Sequence, residues 1–243
     1  MKTPYAFFLS LLLGVCLTAC NLQDVLSTAQ QSVVPTQQEI AGGLIQSLVL
    51  GMTKGSDELS TQDGFWGNQL IKIPFPQEAQ HVQSALLKIG AGKVVNNTTL
   101  ALNRAAEDAS GVAKEVLVTA IKSMSIQDAS QILFGPKNAA TTYLKSSTSD
   151  VLLSKFKPII GNSLNKVHAT KYWSETMTKY NQINVMGLLG KPVETDLTQY
   201  VANYALKGLF HMVEKEEENI RENPVDRTTS LLKKVFGYAD SKK

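Results

Sequence analysis

The sequence predicts an all-α fold, a single multi-helix bundle-like domain with one short extended segment near its N-terminal part. Three observations lead there. Apolar residues recur at spacings of three and four over most of the chain beyond Pro76, the period of one helix face. The gaps between these stretches are short, so the helices share one core. Only Leu70-Ile71-Lys72-Ile73-Pro74-Phe75-Pro76 departs from the pattern, with prolines that disrupt helix and central strand alike.

Composition sets the bounds. The chain has 243 residues, 43% hydrophobic and 19% charged, which excludes both a disordered polar segment and a multi-span membrane protein. Lys and Arg number 24 against 21 Asp and Glu, a formal net charge of +3. That is far from the dense basic surface that phosphate backbones require, so nucleic acid is not an expected partner.

Residues 1–19 have the layout of a secretory signal peptide, with Lys2 giving a positive start and Tyr5 to Val15 an apolar run. Leu17-Thr18-Ala19-Cys20 resembles the bacterial lipobox, which nominates Cys20 for lipidation. Cys16 competes poorly, because bulky Val15 precedes it. The other reading of this stretch is an uncleaved transmembrane anchor, for which it falls short of the roughly 20 apolar residues that span a bilayer. Acyl chains such as palmitate contribute about 0.8 kcal/mol per buried methylene, and more than one chain makes membrane residence stable. Asn21 stands where aspartate, in the Gram-negative sorting pattern this resembles, would favour the inner membrane. The implied location is the outer membrane, facing the periplasm. Cleavage removes Lys2 and Cys16, leaving 23 basic side chains against 21 acidic ones and a single cysteine. With that sulfur acylated, no disulfide, cysteine-metal site or thiol nucleophile is expected within one chain.

Residues 20–35 read as the lipidated N-terminus and a polar tether. Thr36-Gln37-Gln38-Glu39 fits a capping box and opens the helical domain, residues 36–238, with a helix to Gly51 or a turn beyond. Asp63-Gly64 and Gly67-Asn68 supply turn chemistry before the extended segment. That segment crosses the helical body or pairs as a short edge strand, with Phe65, Trp66, Ile71, Ile73 and Phe75 as plugs. Pro76 opens a helix that Gly90 ends. Leu102, Ala106, Ala109, Ala113, Val116, Ala120 and Met124 then mark one face of a long helix, which Ser110-Gly111 kinks or divides. A short helix from Ser125 to Phe134, one around Ala139 to Lys145, one from Ser149 to Val167 bent at Pro158, and one from Lys171 to Ile183 follow. Asn184 to Val193 is a loop. The last large helix runs from Asp196 to Glu222, and Asn223-Pro224 ends it and caps a terminal helix carrying Leu231, Leu232, Val235 and Phe236. Residues 239–243 are a solvated tail.

An ordered set of short motifs runs through this domain: Asp63-Gly64-Phe65, Ile73-Pro74-Phe75-Pro76, Leu102-Asn103-Arg104-Ala105-Ala106-Glu107, Ile126-Gln127-Asp128-Ala129, Ala140-Thr141-Thr142-Tyr143, Tyr200-Val201, Gly208-Leu209-Phe210 and Ile220-Arg221-Glu222-Asn223-Pro224, then Arg227. Together they resemble an uncharacterised family of bacterial exported proteins, a domain of unknown function of the DUF4197 type, from about Ala41 to Gly237. The resemblance implies a helical fold and an exported setting. It brings no activity and no catalytic residues. Tyr143-Leu144 departs from the pair of aromatics often found there.

The candidate polar cluster, structural or ligand-binding, comprises Asn103, Arg104, Glu107, Glu216, Glu217, Arg221 and Arg227. Asn103 and Glu107 share a helix face, as do Arg104 and Asp108, while Glu217 and Arg221 form another pair. Glu216 falls in the apolar phase between Met212 and Ile220. A buried carboxylate needs a partner, so Arg104, Arg221 or Arg227 must approach Glu107, Glu216 or Glu217. The three histidines, His81, His168 and His211, are widely separated and show no zinc-hydrolase pattern. Gly187-Leu188-Leu189-Gly190-Lys191-Pro192 lacks P-loop spacing, and no Gly-x-Ser-x-Gly elbow nominates a nucleophile. Asn96-Asn97-Thr98-Thr99 holds glycosylation-type tripeptides that a bacterial lipoprotein leaves unmodified. Trp66, Tyr172, Trp173 and Tyr180 are pocket or core aromatics. No cofactor, metal or catalytic residue is nominated. The leading expectation is a lipid-anchored binding or scaffolding module at the envelope, meeting another envelope protein. The alternatives are a carrier of an apolar small molecule in an inter-helix cavity, and an enzyme using the Glu/Arg cluster.

Overall fold

Thr36 starts the first helix by the chemistry its sequence contains: its hydroxyl accepts the Glu39 amide at 3.2 Å, and the Glu39 carboxylate accepts the Thr36 amide at 2.8 Å. The computed structural model describes residues 34–184, 187, 189–190 and 195–242. The signal peptide, Cys20 and all of the tether but its last two residues lie outside them. Helix α1 spans Gln37–Leu59. It continues two turns past Gly51 because Gly51 and Gly55 face the last long helix at close range. A β-carbon on residue 55 would stand 2.6 Å from Met212 Cβ. The lost helix propensity, about 1 kcal/mol per glycine, is offset by backbones that can approach. Leu44, Leu48 and Met52, all fully buried, carry the apolar face, each contributing about 1.5–3 kcal/mol by transfer from water.

Residues 60–76 cross the helical body without forming a strand. Phe65, Ile71, Ile73 and Phe75 are buried, while Trp66 is half-buried beneath Lys72, whose ammonium lies 3.3 Å from the ring centre. A 3-10 turn, Gln77–Ala79, leads into α2, Gln80–Lys88, and Gly90 closes the connection at φ +75°, a conformation that favours glycine. Helix α3, Gly92–Lys122, runs through Ser110-Gly111 undivided. Its buried stripe continues through Ala113, Leu117 and Ile121, not through Val116, which is 40% exposed.

Further boundaries differ from the sequence reading. Helix α4 is limited to Ala129–Leu133, because Asp128 takes a left-handed conformation at φ +54°. The expected break after Lys145 is absent, and α5 runs from Ala139 to Lys166 through Pro158. The hydroxyls of Ser146, Ser147, Thr148 and Ser149 bond back to carbonyls three or four residues earlier, so this polar, helix-poor run satisfies its side chains within the helix and does not turn them against the backbone amides. Helix α6 is Ala169–Ile183 and α7 is Leu197–Glu222, capped by the Asp196 carboxylate on the Gln199 amide. After a 3-10 turn, Pro224–Asp226, Thr229 rather than Asn223 caps α8, Ser230–Asp240.

Helices α1, α3, α5 and α7 form a ring in which each packs on two neighbours. Helices α4 and α8 lie on α1, and α6 lies on α3 with α2 against both. A second, smaller core of Phe75, Ala79, Val82, Leu86, Val95 and Tyr180 joins the crossing segment to α2, α3 and α6. Among the described residues no strand occurs, and no helix is long and apolar enough to cross a membrane.

Candidate functional site

Asn103 and Glu107 lie one turn apart on α3 and hold the crossing segment by its backbone. The Asn103 amide accepts from the Ile73 N–H and donates to the Ile73 carbonyl, both at 2.8 Å, so one side chain replaces a neighbouring strand. Its second donor bonds the Thr99 carbonyl at 2.8 Å. Glu107 Oε1 accepts the Phe65 and Trp66 amides at 3.1 Å each, and Oε2 accepts Arg104 at 2.6 Å. Arg104 reaches on to Asp63 at 2.7 Å, and its bond to Glu107, ahead of that to Asp63, raises the guanidinium pKa. Asp63 holds φ +67°, and Gly64 follows it where a β-carbon would come 2.6 Å from the Leu59 carbonyl oxygen.

Beside this clamp an open cleft of about 540 Å³ runs along α3, lined by Gln62, Asn97, Leu100, Arg104, Asp108 and Tyr172 among others. Asp108 does not pair with Arg104. It accepts from Ser163 at 2.7 Å and from Lys166. Burial pushes its carboxyl up, but the Lys166 and Ser163 bonds outweigh this and hold it below the ordinary value. Arg104 and Lys166 thus face three carboxylates, Glu107, Asp63 and Asp108. Chemically the cleft offers paired donors and acceptors beside an aromatic ring, a setting for a polar ligand without large net charge. Thr98 lies behind it, its hydroxyl bonding Thr176 at 2.7 Å and the Tyr172 carbonyl at 3.0 Å.

The remaining candidates form two other groups. Glu217, fully buried, caps α5 from α7: its oxygens accept the Ala140 amide at 2.9 Å and the Thr141 amide and hydroxyl at 2.7 Å each. Arg221 donates to Glu217 at 2.9 Å and to the Leu133 and Ile132 carbonyls at 2.7 and 3.1 Å. One ion pair therefore serves the end of α4 and the start of α5. Arg227 donates to the Ile220 and Arg221 carbonyls and to Asp240, not to a glutamate. Glu216 meets Lys54 of α1 at 2.5 Å rather than an arginine.

Sequence reasoning missed Lys54, Asp63 and Lys166 as partners, because each approaches from a remote element. Of the aromatics, Tyr180 is fully buried, Trp173 packs 5.5 Å from Phe75 and Tyr172 lines the cleft. Among the described residues no group of three or more His, Cys, Asp or Glu is placed to hold a metal ion. Of the loop after Asn184, only Gly187, Leu189 and Gly190 fall within the described residues before Thr195.

A sequence profile for the family described as "Protein of unknown function (DUF4197)" matches residues 34–237. The chain belongs to this family. The match spans the helical domain from the residue before Pro35 to α8, so the ring, the Asn103-Glu107 clamp and the Glu217-Arg221 pair all lie inside the DUF4197 domain. No curated protein and no solved structure matches the chain.

Proposed function

We propose that this DUF4197 protein is a lipid-anchored helical module of the cell envelope, held at the outer membrane through Cys20 and facing the periplasm, that acts by binding rather than by acid-base catalysis. The lipobox-like Leu17-Thr18-Ala19-Cys20 supports the anchor. The engagement of the buried carboxylates carries the binding half. A carboxylate has about four acceptor positions; Glu217 uses them on two amides, a hydroxyl and a guanidinium, and Glu107 receives two amides and a guanidinium. A general acid or base needs a position open to substrate. Beside these engaged carboxylates, the α3 cleft with Asn97, Arg104, Asp108 and Tyr172 offers a surface for a ligand.

Cys20→Ser in cells is expected to move the protein out of the membrane fraction, and unchanged fractionation would overturn the anchor. Glu107→Gln and Glu217→Gln are each expected to lower thermal stability. If both left it unchanged while abolishing a ligand-induced melting shift, the carboxylates would belong to a ligand site instead.

A further inference from the structure

We propose that the end of the bundle from which the chain runs back towards Cys20 docks on the phospholipid surface, with a pocket between α4, α7 and α8 receiving a phosphodiester headgroup. This rests on the anchored reading above and adds the face that meets the bilayer.

The start of α1 lies at this end, where Gln37 bonds Ser130 of α4 at 2.6 Å. Helix α8 returns to it, bringing Lys234 to Glu39 at 2.7 Å. The pocket here measures about 390 Å³. Its apolar lining is Leu133, Phe236 and Ala239, and its charged lining sets Lys137, Lys242 and Arg221 against Glu222 and Asp240, a surplus of one positive charge. Phe134 lines it too, 51% exposed with its ring edge-on to Tyr238 at 5.9 Å. Val34, where the described chain begins, is 60% exposed, and Val225, in the Pro224–Asp226 turn that follows α7, is 89% exposed. Apolar side chains beside lysines suit the interface of a bilayer, where ring and aliphatic groups enter the acyl boundary and ammonium groups meet phosphate.

The lysines are accessible to that phosphate. Lys137 pairs with Glu222, but their side chains are 64% and 48% exposed. A solvent-exposed pair is screened and weakly held, so Lys137 can exchange Glu222 for a phosphate. Arg221, at the back of the pocket, is committed to Glu217 and the α4 carbonyls and fixes the apolar lining. The place where the chain enters the domain points to the membrane as occupant: Val34 is fourteen residues after Cys20, so this end is tethered within a contour of at most about 50 Å of the anchor. The α2–α3 connection lies at the other end of α3, whose 31 residues span about 46 Å.

The test uses full-length lipidated protein in vesicles of phosphatidylethanolamine and phosphatidylglycerol with brominated acyl chains, read by tryptophan emission against the parent, which carries Trp66 and Trp173. Phe134→Trp is expected to add emission that the bromolipid largely quenches. Leu87→Trp, at an equally exposed site beside the α2–α3 connection, is expected to add emission that survives. Lys137→Glu with Lys242→Glu is expected to relieve quenching at position 134. Protein that floats with the vesicles but shows no quenching at position 134 overturns the docking and leaves the anchor standing. Protein that fails to float overturns both.

Discussion

The Phe65 ring lies against Gly208 so closely that a β-carbon on residue 208 would sit 2.6 Å from Cε1 and 3.2 Å from Cζ. Phe65 is fully buried and its amide is tied to Glu107, so the ring has little freedom to move aside. Gly208→Ala is therefore expected to destabilise the fold by about 1–3 kcal/mol through overpacking. Gly237→Ala is expected to act in the opposite direction. It lies within α8 with nothing inside 4 Å of its added carbon, and restricting the unfolded chain is worth about 0.4–1 kcal/mol. Urea denaturation of the two variants measures both, and shifts of the same sign would contradict the spatial argument.

Glu107 matters through what it leaves behind. Glu107→Ala strips the Phe65 and Trp66 amides of their acceptor and leaves Arg104 with Asp63 alone, and each buried group left unsatisfied costs about 1–3 kcal/mol. Glu107→Gln keeps an oxygen for the amides, so its expected loss is smaller, nearer the roughly 1–3 kcal/mol of one unsatisfied group. Hydrogen exchange at Phe65 and Trp66 reports the same ranking locally. Alanine and glutamine variants as stable as the parent would show that the clamp contributes nothing.

Glu217 and Arg221 act as one unit between two helix ends. Glu217→Gln weakens the cap on α5, while Arg221→Met releases the Leu133 and Ile132 carbonyls. The double variant is expected to be less destabilised than the two single losses summed, with a coupling of about 0.5–3 kcal/mol. Additive losses would mean that the two ends are held independently.

The clamp explains how far the sequence could be read. Helical periodicity, the Thr36 box and the proline-rich crossing were legible because each depends on residues within a few positions of one another. The i,i+4 pair Glu217-Arg221 was visible for the same reason. The partners of Glu216 and Asp108 were not, since Lys54 lies 162 residues and Lys166 58 residues away in the chain. Arg104 chose Glu107, three residues on, over Asp108, because the crossing segment places Asp63 on the same side. The continuous α5 was hidden by its serines, whose effect on a helix depends on whether their hydroxyls bond back or compete with the backbone. The anchor, by contrast, is a sequence argument throughout, as Cys20 lies outside the described residues.

Acid stability follows from the same contacts. Lys166 and Ser163 hold the Asp108 carboxyl below its ordinary value against the opposing effect of burial. The Gln199 amide and Lys157 do so for Asp196, and Asn138 with Lys145 for Glu214. A carboxyl whose pKa is lower folded than unfolded contributes stability above the unfolded value, and that contribution is lost as pH falls through the folded one. The domain should therefore weaken below about pH 4, where the unfolded carboxyls begin to bind protons. Asp108→Asn removes one of these groups from the titration, so its loss of stability relative to the parent should be larger at pH 7 than at pH 3. Lys166→Met should narrow the difference in the same way, because it removes the charge that lowers Asp108. Denaturant midpoints measured at both pH values decide it: an Asp108→Asn deficit that does not shrink on acidification would show that Asp108 titrates alike in the folded and unfolded chain.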